Sequence, residues 1–294
     1  MTLKAIMLWN EPNNLSHWDF TLDPDWSIFA QLCRWSTQAI RATAPHLKVV
    51  LGGLAPLDPD FMARMMRLHG LETVVDAVGI HGFPFDWHLW QIDEWPQKVA
   101  ELRAVTGCPF WATEVGISSF GAEEVQVIGL QKTVDLLPPL VDEVFWYSLF
   151  DLPRAWPATT RHKESEGSSY YRHFYFGLLT EDGKEKLALR RFPPEFGIVQ
   201  WLHLREYDLV DATVRWLQRL GVKQVRTGLS WADSHVPGAW DYFDHVMRAL
   251  EPFQVTATLC FTPPSRGIRP DHTSPPQDIG EFAYFCQQVA QRYT

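Results

Sequence analysis

A rhythm in the chain limits its fold more than any other feature. Short apolar runs alternate with longer amphipathic stretches along all 294 residues. The runs are Ala5–Trp9, Lys48–Leu54, Ala77–His81, Pro109–Glu114, Glu143–Leu149, Phe196–Gln200, Gln224–Leu229 and Gln254–Phe261. They are rich in Val, Ile and Leu, with little polar alternation, and so predict strands buried on both faces, as in a parallel sheet. Between them, apolar residues recur at helical spacing in Trp26–Ala44, Asp60–His69, Ile92–Val105, Glu123–Leu137, Tyr207–Leu220, Asp241–Leu250 and Asp278–Tyr293. Pro45, Gly70, Gly107, Pro138-Pro139 and Gly221 supply stops, and Asp58 or Asp60 a cap. The polar stretch Asp151–Tyr171 reads as a loop. Nearly every strand is followed by a helix. Eight βα units in a chain of this length predict a single (β/α)8 TIM barrel rather than an open sheet. No GxGxxG or GxxxxGK[ST] follows a strand, which argues against nucleotide binding. Residues 1–294 read as one domain, with Arg190–Glu195 (RRFPPE) the one candidate seam.

Composition narrows the partners. The net charge is −9, with 26 Lys+Arg against 35 Asp+Glu and no basic block, so neither nucleic acid nor an anionic membrane is expected. No apolar run reaches the ~18 residues of a membrane span. The start, Met1-Thr-Leu-Lys, lacks the pattern of a signal peptide, so the expected location is cytoplasmic. Cys33, Cys108, Cys260 and Cys286 have no CxxC spacing and read as packed free thiols. Aromatic residues make up 14%, with 14 Trp. That suits flat, weakly polar ligands such as sugar rings, though large cores use aromatics too.

In such barrels the reactive groups stand where strands give way to loops at the C-terminal face. The polar residues there form a compact set. The first strand runs into Asn10-Glu11-Pro12, the third ends at His81 and the fourth at Glu114. The fifth carries Trp146 and Tyr147, and the seventh carries Arg226 with Trp231 just after it. Two glutamates at strand ends can face each other across the mouth. Glycoside hydrolysis needs one carboxylic acid to protonate the leaving oxygen and one carboxylate to attack or activate water. Arg226 could keep one glutamate ionised, Asn10 could bond a sugar hydroxyl, and Trp146 could form a stacking floor.

These motifs together resemble clan A glycoside hydrolases, in the flavour of the β-xylosidase and iduronidase-like branch. Leu-Trp-Asn10-Glu11-Pro12-Asn13 resembles the end of the family's fourth strand. Gly-Ile-His81-Gly-Phe-Pro resembles the sixth, and Trp111-Ala-Thr-Glu114-Val-Gly the seventh with its nucleophile. Val-Phe-Trp146-Tyr-Ser resembles the eighth with its platform Trp, and Val225-Arg226 with Ser230-Trp231 the second. The resemblance implies Glu11 as general acid/base, Glu114 as nucleophile, and Asn10, His81, Trp146, Arg226 and Trp231 as substrate-binding residues. It implies an oligosaccharide or glycoside substrate and no cofactor or metal. One departure is large: the segment like the usual strands one to three comes last. The resemblance therefore implies a circular permutation, with 1–190 as strands four to eight and 191–294 as strands one to three. Residues Lys184–Arg191 must then cover the wall between the usual eighth and first strands.

Each residue also has a plainer role. Glu11 could be a helix-start carboxylate, Glu114 a structural ion-pair partner of Arg226, and His81 a satisfied core histidine. Trp146 could be core. Tyr147 points opposite to it, so only one of the two faces the lumen, and Trp146 is preferred. His88, His162 and His173 lack ligand spacing. Trp87, Trp90, Trp156 and Trp240, like Trp231, lie in or near loops, and Asp86 and Asp151 either bind sugar hydroxyls or face solvent. The alternative readings are a carbohydrate-binding barrel with little or no activity, and an aldolase or metal-dependent hydrolase. The last two lack a strand-end lysine or a His/Asp cluster.

Overall fold

The computed structural model describes residues 3–154 and 172–294. Eight parallel strands close into a barrel in sequence order: β1 (Leu3–Leu8), β2 (Lys48–Leu54), β3 (Ala77–Gly82), β4 (Phe110–Val115), β5 (Glu143–Tyr147), β6 (Gly197–Val199), β7 (Gln224–Ser230) and β8 (Gln254–Cys260). Strand β6 pairs with both β5 and β7, and β1 closes the ring against β8. The chain is a single (β/α)8 TIM barrel, as its alternation predicts.

The helices are α1 (Ser27–Thr43), α2 (Pro59–Ala63), α3 (Trp95–Arg103), α4 (Glu123–Leu136), α5 (Tyr207–Leu220), α6 (Trp231–Ser234), α7 (Ala239–Ala249) and α8 (Ile279–Tyr293). Their ends follow local chemistry. The Asp58 side chain accepts from Asp60 N and Phe61 N, and Asp278 accepts from Gly280 N. Gly221 ends α5 at φ 70, a left-handed conformation that glycine adopts freely. Two expected helices are divided. Asp60–His69 becomes α2 followed by a π-helical turn over Arg64–Leu68. Ile92–Val105 becomes a 3-10 turn over Ile92–Glu94 and then α3, with Pro96 tolerated in its first turn. A 3-10 turn over Leu187–Arg191 packs against α4. Of the expected loop Asp151–Tyr171, residues 155–171, including Trp156 and His162, lie outside the described residues. Among the described residues, no helix is long and apolar enough to cross a membrane.

Two apolar layers hold the barrel. A large one fills the space between strands and helices, and a small one fills the lumen with Ala5, Met7, Val50, Ala77, Trp111, Phe145 and Val199. The N-terminal end of the lumen carries a polar staple. Lys4 Nζ donates to Glu143 Oε1 at 2.5 Å and to Gln224 Oε1 at 2.9 Å, and Gln224 Nε2 donates to Glu143 Oε2 at 2.5 Å. These contacts tie β1, β5 and β7 beneath the apolar plug. The C-terminal end of the lumen carries Asn10, Glu114 and Arg226.

Candidate active site

The chain brings Glu11 to the mouth by breaking the regularity of β1. Ala5 and Met7 face the lumen, and strict alternation would place Trp9 there too. Instead Trp9 (φ 68) and Glu11 (φ 42) are both left-handed. The Trp9 ring turns outward, edge-on to Trp18 and Phe282, while Asn10 and Glu11 swing inward. Strand β4 departs from its pattern as well. Trp111 lies in the lumen layer, and a Cβ on Gly79 would sit 2.8 Å from Thr113 Oγ1, so these odd positions point inward. Register shifts between Ile80 and His81 and between Ala112 and Val115 then turn Glu114 inward too.

The result is a buried charge cluster. Arg226, fully buried on β7, donates through Nη1 to Glu114 Oε1 and through Nη2 to Asn10 Oδ1 at 2.7 Å. His81 Nδ1 stands 2.8 Å from Glu11 Oε1 and 3.6 Å from Glu114 Oε2. Burial pushes the His81 pKa down to about 3, so the ring is neutral, and Nδ1 carries its proton toward the Glu11 carboxylate. The ring lies so close over Gly53 that a Cβ there would meet Nε2 at 2.0 Å. One atom each of Glu11, His81 and Glu114 lie within 4.8 Å of one another. Among the described residues this is the one such cluster compact enough to share a cation. Arg226 already serves Glu114 as that cation, and His81 is engaged as a donor, so the trio fits proton and charge handling better than metal binding.

Two residues assigned to the mouth from sequence lie elsewhere. Trp146 is fully buried in the outer layer, because Phe145 and Tyr147 take the inward positions of β5. Tyr147 is the lumen residue, and its ring meets Phe83 at 5.7 Å. Burial, with Glu114 and Glu11 nearby, keeps its phenol protonated. Trp231 opens α6 and packs outward on Phe282 at 5.4 Å. It lines an outer cleft of about 330 Å³ beside Tyr284 and Gln288, away from the glutamates. Asn10, Glu11, His81, Glu114 and Arg226 do come together.

Sequence reasoning missed Trp201, just past β6. Its ring covers Gly228, where a Cβ would meet it at 1.6 Å, and the Arg226 guanidinium lies 5.9 Å from its centre. A glycine at an inward position of β7 is the sequence signal for so close an approach. The loop acids are clamps. Asp86 accepts from Ser118 N and Arg172 Nη1, and Asp151 accepts from Gly177 N and from Lys186 Nζ at 2.5 Å. All four cysteines are free.

No family model and no curated protein matches the chain. Solved structures similar to it include a GH128 (subgroup VI) exo-β-1,3-glucanase from Aureobasidium namibiae, at 14% identity and TM-score 0.42, covering 63% of this chain and 66% of that one. They also include β-glucuronidase 2 of Bacteroides uniformis, at 10% identity and TM-score 0.38, covering 67% and 22%. A protein assigned to the dihydrodipicolinate synthase family of Coccidioides immitis matches at 10% identity and TM-score 0.40, covering 86% and 66%. This chain therefore spans just under two thirds of the glucanase and about a fifth of the glucuronidase. At these scores the likeness adds nothing to the barrel already described, and the chemistry is argued from the site.

Proposed function

We propose that the chain is a retaining glycoside hydrolase acting on a β-linked sugar, with Glu114 as nucleophile and Glu11 as general acid/base. The observation that carries this reading is the convergence of the two carboxylates within 4.8 Å at one rim of the barrel. One oxygen of each carboxylate therefore approaches the other within that bound, which suits the close pair of a retaining enzyme (~5–5.5 Å between carboxyl groups) better than the wider pair (~6.5–9.5 Å) that leaves room for an inverting water. The partners suit the roles: Arg226 holds Glu114 in place as nucleophile, and Glu11 is held by the neutral groups of His81 and Asn14.

In the first step a Glu114 oxygen bonds to the anomeric carbon as the bond to the leaving oxygen breaks, and Glu11 protonates that oxygen. In the second, Glu11 takes a proton from water, whose oxygen displaces Glu114 from the same carbon. Asn10, tied to Arg226, stands ready for a sugar hydroxyl, and Tyr147 and Trp201 offer rings for stacking. The substrate is an oligosaccharide or simple glycoside, and the chain's own residues supply acid, base and nucleophile.

The test is hydrolysis of aryl β-glycosides of xylose, glucose, galactose and mannose, with the first-formed anomer followed by NMR. Turnover with retention that falls at least ~1,000-fold in Glu114→Gln and Glu11→Gln supports the reading. Unchanged activity in both variants, or inversion, refutes it. Sugar binding without turnover in the wild type selects the carbohydrate-binding barrel instead. We also read the chain as circularly permuted, with 191–294 standing for the usual first three strands, on the order of its motifs. That reading requires a chain with 191–294 placed ahead of 3–190 to fold and keep the wild-type activity; a chain that does not fold counts against it.

A further inference from the structure

The Glu11 carboxylate is held on both oxygens. Oε1 accepts from His81 Nδ1, and Oε2 accepts from Asn14 Nδ2 at 3.0 Å. The same Oε2 lies 3.4 Å from His17 Nδ1. Asn14 and His17 belong to the turn that follows Glu11. Asn14 N donates to Glu11 O and His17 N to Asn14 O, both at 2.9 Å. The Trp9 indole donates to the His17 carbonyl at 2.8 Å, and the His17 ring stacks on Phe261 with centres 6.0 Å apart and planes 23° apart. The His17 side chain is 22% exposed against 11% for Glu11, while its Nδ1 is buried.

We propose that His17 is a positioning residue that holds the carboxyl proton of Glu11 on Oε2, by accepting it at a bare Nδ1, while Asn14 fixes that oxygen in place. The inference rests on the reading of Glu11 as acid/base. A carboxylic acid has one O–H, and the O–H needs an acceptor. His81 offers Glu11 a donor, and Asn14 reaches it through an N–H while its own Oδ1 accepts from Ser16 N at 3.0 Å. Of these three partners, His17 Nδ1 is the one that can accept. With Nδ1 bare, the ring is neutral and carries its proton on Nε2.

The other titratable groups facing Glu11 are accounted for. Glu114 on β4 is balanced by Arg226 from β7. His88, in the loop after β3, is held toward its neutral form by burial, and Tyr147 on β5 stays a phenol. His272 sits behind Phe261, the two rings 5.3 Å apart. Of these rings, His17 is the one placed to take the proton on Oε2. The leaving oxygen must then approach from the His17 and Phe261 side, replacing Nδ1 as the acceptor.

Two measurements test this. In 15N spectra of histidine-labelled protein near neutral pH, with the His17 signals assigned by their loss in His17→Gln, Nδ1 should be unprotonated and Nε2 protonated. A protonated Nδ1 overturns the proposal whether or not the chain has activity. In pH profiles of kcat/KM on an aryl β-glycoside, His17→Phe keeps the ring stack but loses the acceptor. It should draw the alkaline limb about one unit lower, costing roughly 10-fold above that limb. His17→Gln, whose amide oxygen can accept, should leave the limb in place. An unmoved limb in His17→Phe overturns the proposal. Absence of turnover on every glycoside strikes the hydrolase reading, while the tautomer still decides where His17 stands.

Discussion

Arg226 reaches across the lumen to Glu114, and its second terminal nitrogen holds Asn10. One fully buried guanidinium thereby fixes side chains from β7, β4 and the end of β1. Removing one member of a buried pair leaves a charge uncompensated, which costs about 3–5 kcal/mol. Arg226→Met should lose about that much in urea denaturation, and the double variant with Glu114→Gln should recover a good part of it. A loss under ~1 kcal/mol would mean that the pair does not hold the mouth together.

Gly53 is the floor under His81. A methyl group at that position has to displace the imidazole, whose Nδ1 orients Glu11. Misplacement by about 1 Å costs on the order of 100-fold in rate. Gly53→Ala should therefore cut kcat/KM on an aryl β-glycoside by roughly that factor, much more than it lowers the melting temperature. Full activity in this variant would show that His81 does not orient the acid.

Tyr147 and Trp146 are neighbours with opposite fates. Tyr147→Ala should raise KM severalfold while the fold persists, because it strips a ring from the mouth. Trp146→Phe should leave KM unchanged and lower stability on the order of 1 kcal/mol, because it opens space in the outer layer. The reverse outcome would restore Trp146 as the platform.

The Asp151–Lys186 pair gives stability a pH dependence. Burial outweighs the ammonium group beside it and raises the Asp151 pKa to about 6, against 3.8 for the ordinary side chain. The folded state then holds this proton more tightly than the unfolded chain does. Its contribution is full below pH 3.8 and is lost as pH rises through about 6, with a slope of up to about 1.4 kcal/mol per unit. Burial also depresses Lys186, whose opposite contribution falls away on the alkaline side, as pH drops through its lowered pKa. Asp151→Asn should flatten the unfolding free energy between pH 4 and 6. An identical slope in the variant would show that the proton sits elsewhere.

The sequence made the architecture legible because each strand is an apolar run between turn residues, as at Lys48–Leu54 before Ala55-Pro56 and at Gln224–Ser230 after Gly221. Burial on both faces, which produces those runs, also hides which face is inward. Nothing within Phe145-Trp146-Tyr147 distinguishes lumen from outer layer, and so Trp146, expected to face the lumen, stands in the outer layer while Tyr147 faces inward. Glu11 and Glu114 were found through residue type at strand ends, while their inward turn depends on left-handed backbone at Trp9 and Glu11 and on register shifts in β3–β5. Those are properties of pairing between distant segments. Trp201 went unnoticed because its importance lies in Gly228, a neighbour in space on the next strand.

The staple of Lys4, Glu143 and Gln224 lies at the opposite end of the lumen from the glutamates. Three strands that are not neighbours in the ring, β1, β5 and β7, are thereby tied by contacts remote from Glu11 and Glu114. Side chains on the exposed rim of the open end can change without touching this staple. Exchange of exposed rim residues would accordingly leave these contacts among β1, β5 and β7 untouched.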